Sequence, residues 1–128
     1  MAIGGLKVQN ISSVHFIGIG GISMSAIAKV LLHNNIKVSG SDNTDTKITK
    51  ELESLGATIY YGHKKENIKD CDLCVYTAAI SDDNEELIEA RKRGIKVISR
   101  AKMLGEIMKN YKMPSRFREL TVKPPQHQ

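Results

Sequence analysis

Between residues 13 and 110, five short apolar runs alternate with helical patterns, and this alternation limits the possible fold more than any other feature. VHFIGIG (14–20) reads as a buried strand, IKVSGS (36–41) as a second and ATIYYG (57–62) as a third. CDLCVYTAAI (71–80) reads as a fourth and IKVISR (95–100) as a fifth. Residues 23–34 place Met24, Ile27, Ala28, Leu31 and Leu32 at helical spacing. KITKELESLG (47–56) sets Ile48, Leu52 and Leu55 on one helical face. NEELIEARKRG (84–94) and AKMLGEIMKN (101–110) supply two more helices, and Gly56 and Gly94 serve as C-caps. Strands that alternate with helices of about ten residues imply βαβ units and a parallel sheet. Right-handed crossovers then give an α/β, Rossmann-like doubly wound parallel sheet in a single domain. The domain is expected over residues 13–111, with 1–12 and 112–128 irregular.

A chain of 128 residues can bury one respectable core. No apolar stretch reaches the roughly 18 residues of a membrane span. The N-terminus lacks a basic region followed by an apolar one, so the expected location is the cytoplasm. The net charge of +5 is uneven, with +3 of it in the last 17 residues. No basic stripe interleaved with aromatics occurs, so neither nucleic acid nor membrane is an expected partner. Cys71 and Cys74 form C-D-L-C inside an apolar run, which suits reduced, buried thiols better than a redox pair at a helix start. Two cysteines with no paired histidine make a poor zinc site, and no metal is expected.

Gly18-Ile19-Gly20-Gly21-Ile22-Ser23 follows a strand and opens a helix, the context a G-x-G-x-x-G match needs. Gly18 would make the tight turn, and Gly20 would let a phosphate approach the backbone. Ser23 replaces the third glycine and would serve as a helix N-cap. Free N–H groups and the helix dipole at Gly21 to Ser25 would face an anion. Asp42 closes the second strand 24 residues after Gly18, where dinucleotide sites carry a ribose-binding acid. It reads equally well as a turn residue before Asn43. These residues indicate nucleotide phosphates without saying which nucleotide, and an NAD(P)-binding regulatory module is the alternative reading.

HFIGIGGISMSAIAKVLLHNNIKVSGSD closely resembles the opening of the Mur ligases, and the resemblance continues through LGATIYYGH and VYTAAISDDNEELIEARKRGIKVISRAKMLGEIM. It is strongest to the branch that joins L-alanine to UDP-N-acetylmuramate; the branch that recycles murein tripeptide has a loop less like GIGGISMS. The resemblance implies the first, UDP-sugar-binding domain of a three-domain, ATP- and Mg2+-dependent ligase of peptidoglycan synthesis. There ATP phosphorylates the lactyl carboxylate, and the alanine amine attacks the acyl phosphate. It also implies that Gly18, Gly20, Gly21, Ser23, Met24 and Ser25 hold the diphosphate. Asp42, His63, Thr77, Ala78, Ala79 and Ile80 would surround the uridine. Read alone, His63 is a surface turn histidine, and Thr77 and Ala78 are the small-residue end of a strand. Ser23 and Ala26 stand where many relatives have glycine.

The resemblance also implies an ATP loop near residue 120, of the form GTHGKTTTTS. The chain instead reads RELTVKPPQHQ, and no glycine follows Gly105. With permitted codon choices, the tail from Phe117 read one frame over spells SGTHGKTTTTS. A frameshift near Lys112 and Met113 is therefore expected, with a disordered tail beyond it. An appended tail or a naturally short protein are the alternatives, and the coding DNA decides between them. By itself the chain is expected to bind the UDP-sugar and not to catalyse. ATP and Mg2+ would belong to the central and C-terminal domains of the longer enzyme.

Overall fold

The computed structural model describes residues 2–3, 6–7 and 11–110. Strands β1 (Ala2–Ile3) and β2 (Leu6–Lys7) pair antiparallel, where irregular chain was expected. The tail at 112–128 lies outside the described residues.

The main sheet contains β3 (Ser13–Ile17), β4 (Lys37–Asp42), β5 (Thr58–Tyr61), β6 (Leu73–Tyr76) and β7 (Lys96–Ser99). All its pairings are parallel, in the order β5-β4-β3-β6-β7. Helices α1 (Ile22–His33), α2 (Lys47–Ser54), α3 (Glu85–Lys92) and α4 (Arg100–Asn110) join or follow the strands. A short 3-10 turn, Lys65–Asn67, stands between β5 and β6. The chain order reverses at β3: β4 and β5 lie on one side of it, β6 and β7 on the other. The doubly wound α/β fold expected from the alternation is therefore the observed one.

Both faces of the sheet are covered, which is why its strands read as continuous apolar runs. Val14, Phe16, Leu73, Val75 and Ile98 form one cluster with Ile27 and Leu31 of α1, Leu52 of α2, and Met103 and Ile107 of α4. Ile17 and Cys74 join a second with Ile68, Leu87 and Ala90. Three helices end in the same way. The N–H of Gly56 bonds the carbonyl of Glu53, and that of Ala57 bonds Leu52. Gly94 and Ile95 repeat this on Arg91 and Ala90, and Asn35 and Ile36 on Leu32 and Leu31. Each closure needs a left-handed residue, met by Gly56, Gly94 and Asn35.

The fourth strand ends at Tyr76 rather than at 80, because the chain turns there and Ile80 N–H bonds the carbonyl of Thr77. Cys71 falls before the strand, and Cys74 is buried within it. Burial pushes the Cys71 thiol up to about 11 and raises that of Cys74 still further, so both are poor nucleophiles.

Two internal contacts seat the carboxyl edge of the sheet. At Gly40, an added Cβ would lie 2.5 Å from Ile19 Cδ1 and 2.6 Å from Ile19 Cβ. The missing side chain lets the segment after β3 fold down across β4. The second contact is polar. Glu86, in the first turn of α3, is fully buried. Its Oε1 accepts from His15 Nε2 at 2.7 Å and from Ser41 Oγ at 2.8 Å. Its Oε2 accepts from Asn67 Nδ2 at 2.7 Å and from Lys64 N at 3.1 Å. Burial pushes the Glu86 carboxyl up, but the hydrogen bonds from His15, Asn67 and Ser41 and the field of His15 outweigh it. The net shift is downward from the ordinary 4.5.

Two outcomes follow. Gly40→Ala is expected to destabilise the fold by about 1–3 kcal/mol, because Ile19 must move off β4; urea denaturation measures this, and an unchanged midpoint would contradict the packing. A carboxylate with a lowered folded pKa contributes stability above its unfolded value and loses it as pH falls through the folded one. Glu86→Gln is therefore expected to be less stable than the parent by about 3 kcal/mol at neutral pH. The gap should narrow as the pH drops below 4.5. A gap that stays constant on acidification would show that charge at Glu86 is not what matters.

Candidate functional site

The turn at residues 18–21 connects β3 to α1 at the point where strand order reverses, the usual ligand position in such sheets. Gly18 has φ +89°, a value side chains disfavour. The N–H groups of Gly18 and Ile19 both donate to the carbonyl of Ser41, at 2.8 and 2.9 Å. Gly20 N–H donates to Asp42 Oδ2 at 2.8 Å. A Cβ at Gly20 would lie 2.7 Å from that oxygen and 3.3 Å from Thr49 Cγ2. The missing side chain at Gly20 thus makes room for Asp42 and Thr49. The open position is Gly21, where a Cβ would meet nothing nearer than 3.8 Å.

Gly21, not Ser23, is the N-cap of α1. Its backbone is already extended, so the helix begins at Ile22 and Ser23 falls inside the first turn. The cap makes no side-chain hydrogen bond, and no acid lies in the first turn. No side chain of α1 itself therefore compensates the positive end of its dipole. Ser23 Oγ accepts from Arg100 Nη1 at 3.0 Å. The Met24 side chain is buried in the core. Ser25 Oγ donates to the carbonyl of Ile22 at 2.9 Å, and its N–H bonds Gly21 at 2.8 Å. Neither the Met24 nor the Ser25 side chain reaches the turn.

Asp42 Oδ1 accepts weakly from Thr44 N and Oγ1, at 3.3 and 3.4 Å, while Oδ2 holds Gly20. Both the turn role and a place beside the glycine loop are thus realised. His63 is not the surface turn residue that its local sequence suggests. Gly62, at φ +95°, turns the chain back after β5, and His63 Nδ1 comes 2.8 Å from Ser41 Oγ. Thr77 Oγ1 and Ile80 Cδ1 lie 3.9 and 3.8 Å from where a Gly18 Cβ would be. Ala78 and Ala79 are exposed at the crest of the same turn. The loop at 18–21, Asp42, His63 and the turn at 77–80 thus converge on one edge.

Arg100 escaped the sequence reading. It opens α4, and its only local signal is a cation directly after a strand. Among the described residues no carboxylate forms an ion pair with it. The arrangement offers main-chain donors, a helix N-terminus and one guanidinium, which together suit an anion. Ser41 is fully buried and donates its proton to Glu86, so its contact with His63 is not a nucleophile–base pair. No group of three or more His, Cys, Asp or Glu among the described residues could hold a metal. A polar cleft of about 270 Å3 at the opposite edge, lined by Asp70, Cys71, Asp72 and Arg93, has a structural use. Asp72 there ties down Ser12 and Ser13. No described helix is long and apolar enough to cross a membrane.

The sequence and the fold match those of known proteins. The catalytic domain of the Mur ligase family matches residues 13–112. The UDP-N-acetylmuramate–L-alanine ligase of Clostridium botulinum (strain Langeland) is 61% identical over 99 residues, covering 77% of this chain and 22% of the relative. The crystal structure of UDP-N-acetylmuramate–alanine ligase MurC from Thermotoga maritima matches with TM-score 0.74 at 37% identity, covering 76% of this chain and 23% of that one. A murein peptide ligase from Psychrobacter arcticus matches with TM-score 0.68 at 26% identity, covering 74% and 20%. The chain spans between a fifth and a quarter of the length of these relatives. With residues 13–112 matched, it belongs to the Mur ligase family.

Proposed function

We propose that residues 13–111 form the UDP-N-acetylmuramate-binding domain of a ligase that adds L-alanine to this sugar nucleotide in peptidoglycan synthesis. The observation that carries the reading is the bare N-terminus of α1, capped by Gly21 alone, with Arg100 beside it. A diphosphate would accept from the free N–H groups there and be neutralised in part by the guanidinium. Gly18 and Gly20 give the turn its shape. His63 and Asp42 on one side, and Thr77, Ala78, Ala79 and Ile80 on the other, would flank the uridine.

The described residues do not fit ATP and Mg2+. The glycine loop has no lysine at its helix start, and no acidic cluster is available for a cation. The reading is therefore that these residues bind the UDP-sugar without ligating it. The carboxylate activation of the family reaction would require the ATP-binding and C-terminal domains of a longer enzyme.

Calorimetric titration of the 128-residue chain with UDP-N-acetylmuramate, NADH and NADPH tests the proposal. Saturable binding of the UDP-sugar alone is the expected outcome. Binding of a nicotinamide cofactor alone would overturn it in favour of a dinucleotide module. Arg100→Gln is expected to weaken UDP-sugar binding about tenfold, or roughly 1.4 kcal/mol. It should also flatten the salt dependence, since an anion-binding charge has gone. Gly20→Ala should weaken binding while the circular dichroism spectrum is retained, because only Asp42 and Thr49 must give way.

A further inference from the structure

We infer that Glu86, acting through Ser41, sets the tautomer of His63, so that Nε2 of that ring meets the bound nucleotide as a hydrogen-bond acceptor. The ligand in this statement rests on the sugar-nucleotide reading above. The tautomer rests on the hydrogen bonds alone.

An ionised carboxylate only accepts. The Glu86 carboxylate is buried and takes four donors, two on each oxygen. Ser41 has a single hydroxyl proton, and it goes to Glu86 Oε1 at 2.8 Å. His63 Nδ1 lies 2.8 Å from the same Ser41 oxygen. That oxygen has only lone pairs left to offer, so Nδ1 must carry a proton. Nδ1 also lies 3.8 Å from Glu86 Oε2, whose charge favours an N–H pointing that way. A neutral imidazole has one N–H, which leaves a lone pair on Nε2. Free histidine in water favours the opposite form, so the protein is imposing the choice.

The relay cannot easily reverse. If Ser41 turned its proton toward His63, Glu86 Oε1 would face an oxygen lone pair across a buried contact. The other groups around Glu86 are already committed. His15 Nε2 donates to it, with His15 Nδ1 held 2.8 Å from Ser39 Oγ. Asn67 and the Lys64 N–H fill Oε2. His63 itself is 15% exposed, and its Nε2 has no hydrogen-bond partner among the described residues. It follows β5 at the edge where Asp42 and the glycine loop meet. Glu86 and Ser41 are thus positioning residues, and His63 is the binding residue.

An acceptor selects a ligand that presents a donor. A uridine nucleotide has two kinds, the imide N3–H of uracil and the ribose hydroxyls. Cytosine offers a lone pair where uracil has N3–H. If the donor is the base, the chain prefers UDP to CDP. If it is the sugar, the chain prefers UDP to its 2′- or 3′-deoxy forms and treats CDP alike.

The test combines a spectrum with titrations. Two-bond 1H–15N spectra of the 15N-labelled chain, with His63→Gln to assign the ring, are expected to show His63 protonated at Nδ1. Ser41→Ala should return it to the Nε2–H form. In calorimetry, UDP should outbind either CDP or a deoxy-UDP by about tenfold. Ser41→Ala, checked for folding by circular dichroism, should cut that preference several-fold. A wild-type ring protonated at Nε2 overturns the inference, and this spectrum needs no variant to fold. An unchanged preference in Ser41→Ala overturns it too. If no uridine nucleotide binds while the ring stays in the Nδ1–H form, the sugar-nucleotide reading falls and takes the acceptor role with it. The tautomer then stands as a property of the fold.

Discussion

The buried carboxylate of Glu86 is the group around which the carboxyl edge of the sheet is arranged. A buried charge left unpaired costs several kcal/mol, so each of its donors is held firmly. Those donors come from β3 through His15, from β4 through Ser41, and from the segment after β5 through Lys64 and Asn67. Charge-assisted bonds of this kind each contribute about 1.5–3 kcal/mol. The acceptor is itself placed by a cap: Asn84 Oδ1 takes the N–H groups of Glu86 and Leu87 and so starts α3 in a fixed phase. Strands β3 and β4, the segment between β5 and β6, and α3 are thus tied together at one carboxylate.

Ser41 joins the two halves of that edge. Its carbonyl holds the N–H groups of Gly18 and Ile19, and its hydroxyl holds His63 and Glu86. The glycine turn and the His63 side of the edge therefore share one residue of β4. Its neighbour Gly40 lets Ile19 press onto the strand, and Asp42 on the other side holds Gly20. Residues 40–42 fix the shape of a loop more than twenty positions away in sequence. A displacement at any of them would move the bare helix end relative to His63.

The parts of this arrangement that were legible in the sequence are those carried by local pattern. Five apolar runs, the glycine turn and the two glycine C-caps each declare themselves within a few residues, and the sheet followed from their alternation. Asn35 performs the same closure as those glycines but hides in an HNN run, because asparagine takes the left-handed form only as one option among several. The end of the fourth strand was misplaced because TAAI continues an apolar pattern while the backbone turns. Ser23 looked like a cap only because Gly21 caps without a side chain. The polar network was not legible at all. Glu86 sits 71 residues from His15 and 45 from Ser41, and in NEELIEARKRG it resembles any solvent-facing glutamate. Arg100 and Ser23, 77 residues apart, pose the same problem. The resemblance to the Mur ligases named a set of site residues, but it did not say which of them meet through side chains.

The saturation of this network bears on what the site does. A group that moves protons during a reaction needs a vacancy, either a lone pair to fill or a proton to release toward substrate. Glu86 has no acceptor position left, His15 is buried between Glu86 and Ser39, and Ser41 has given its proton inward. Both thiols are raised beyond use at neutral pH. What remains open toward the edge is the free end of α1, the Arg100 guanidinium, one imidazole nitrogen and part of the Asp42 carboxylate. These are donors and acceptors in fixed places, and none is paired with an activating base. Under the proposed reading, such a surface would recognise a ligand by matching its pattern and leave the chemistry to groups brought from elsewhere. The rigidity that Glu86 imposes suits that division, because a holding site gains affinity when little ordering remains to be done on binding.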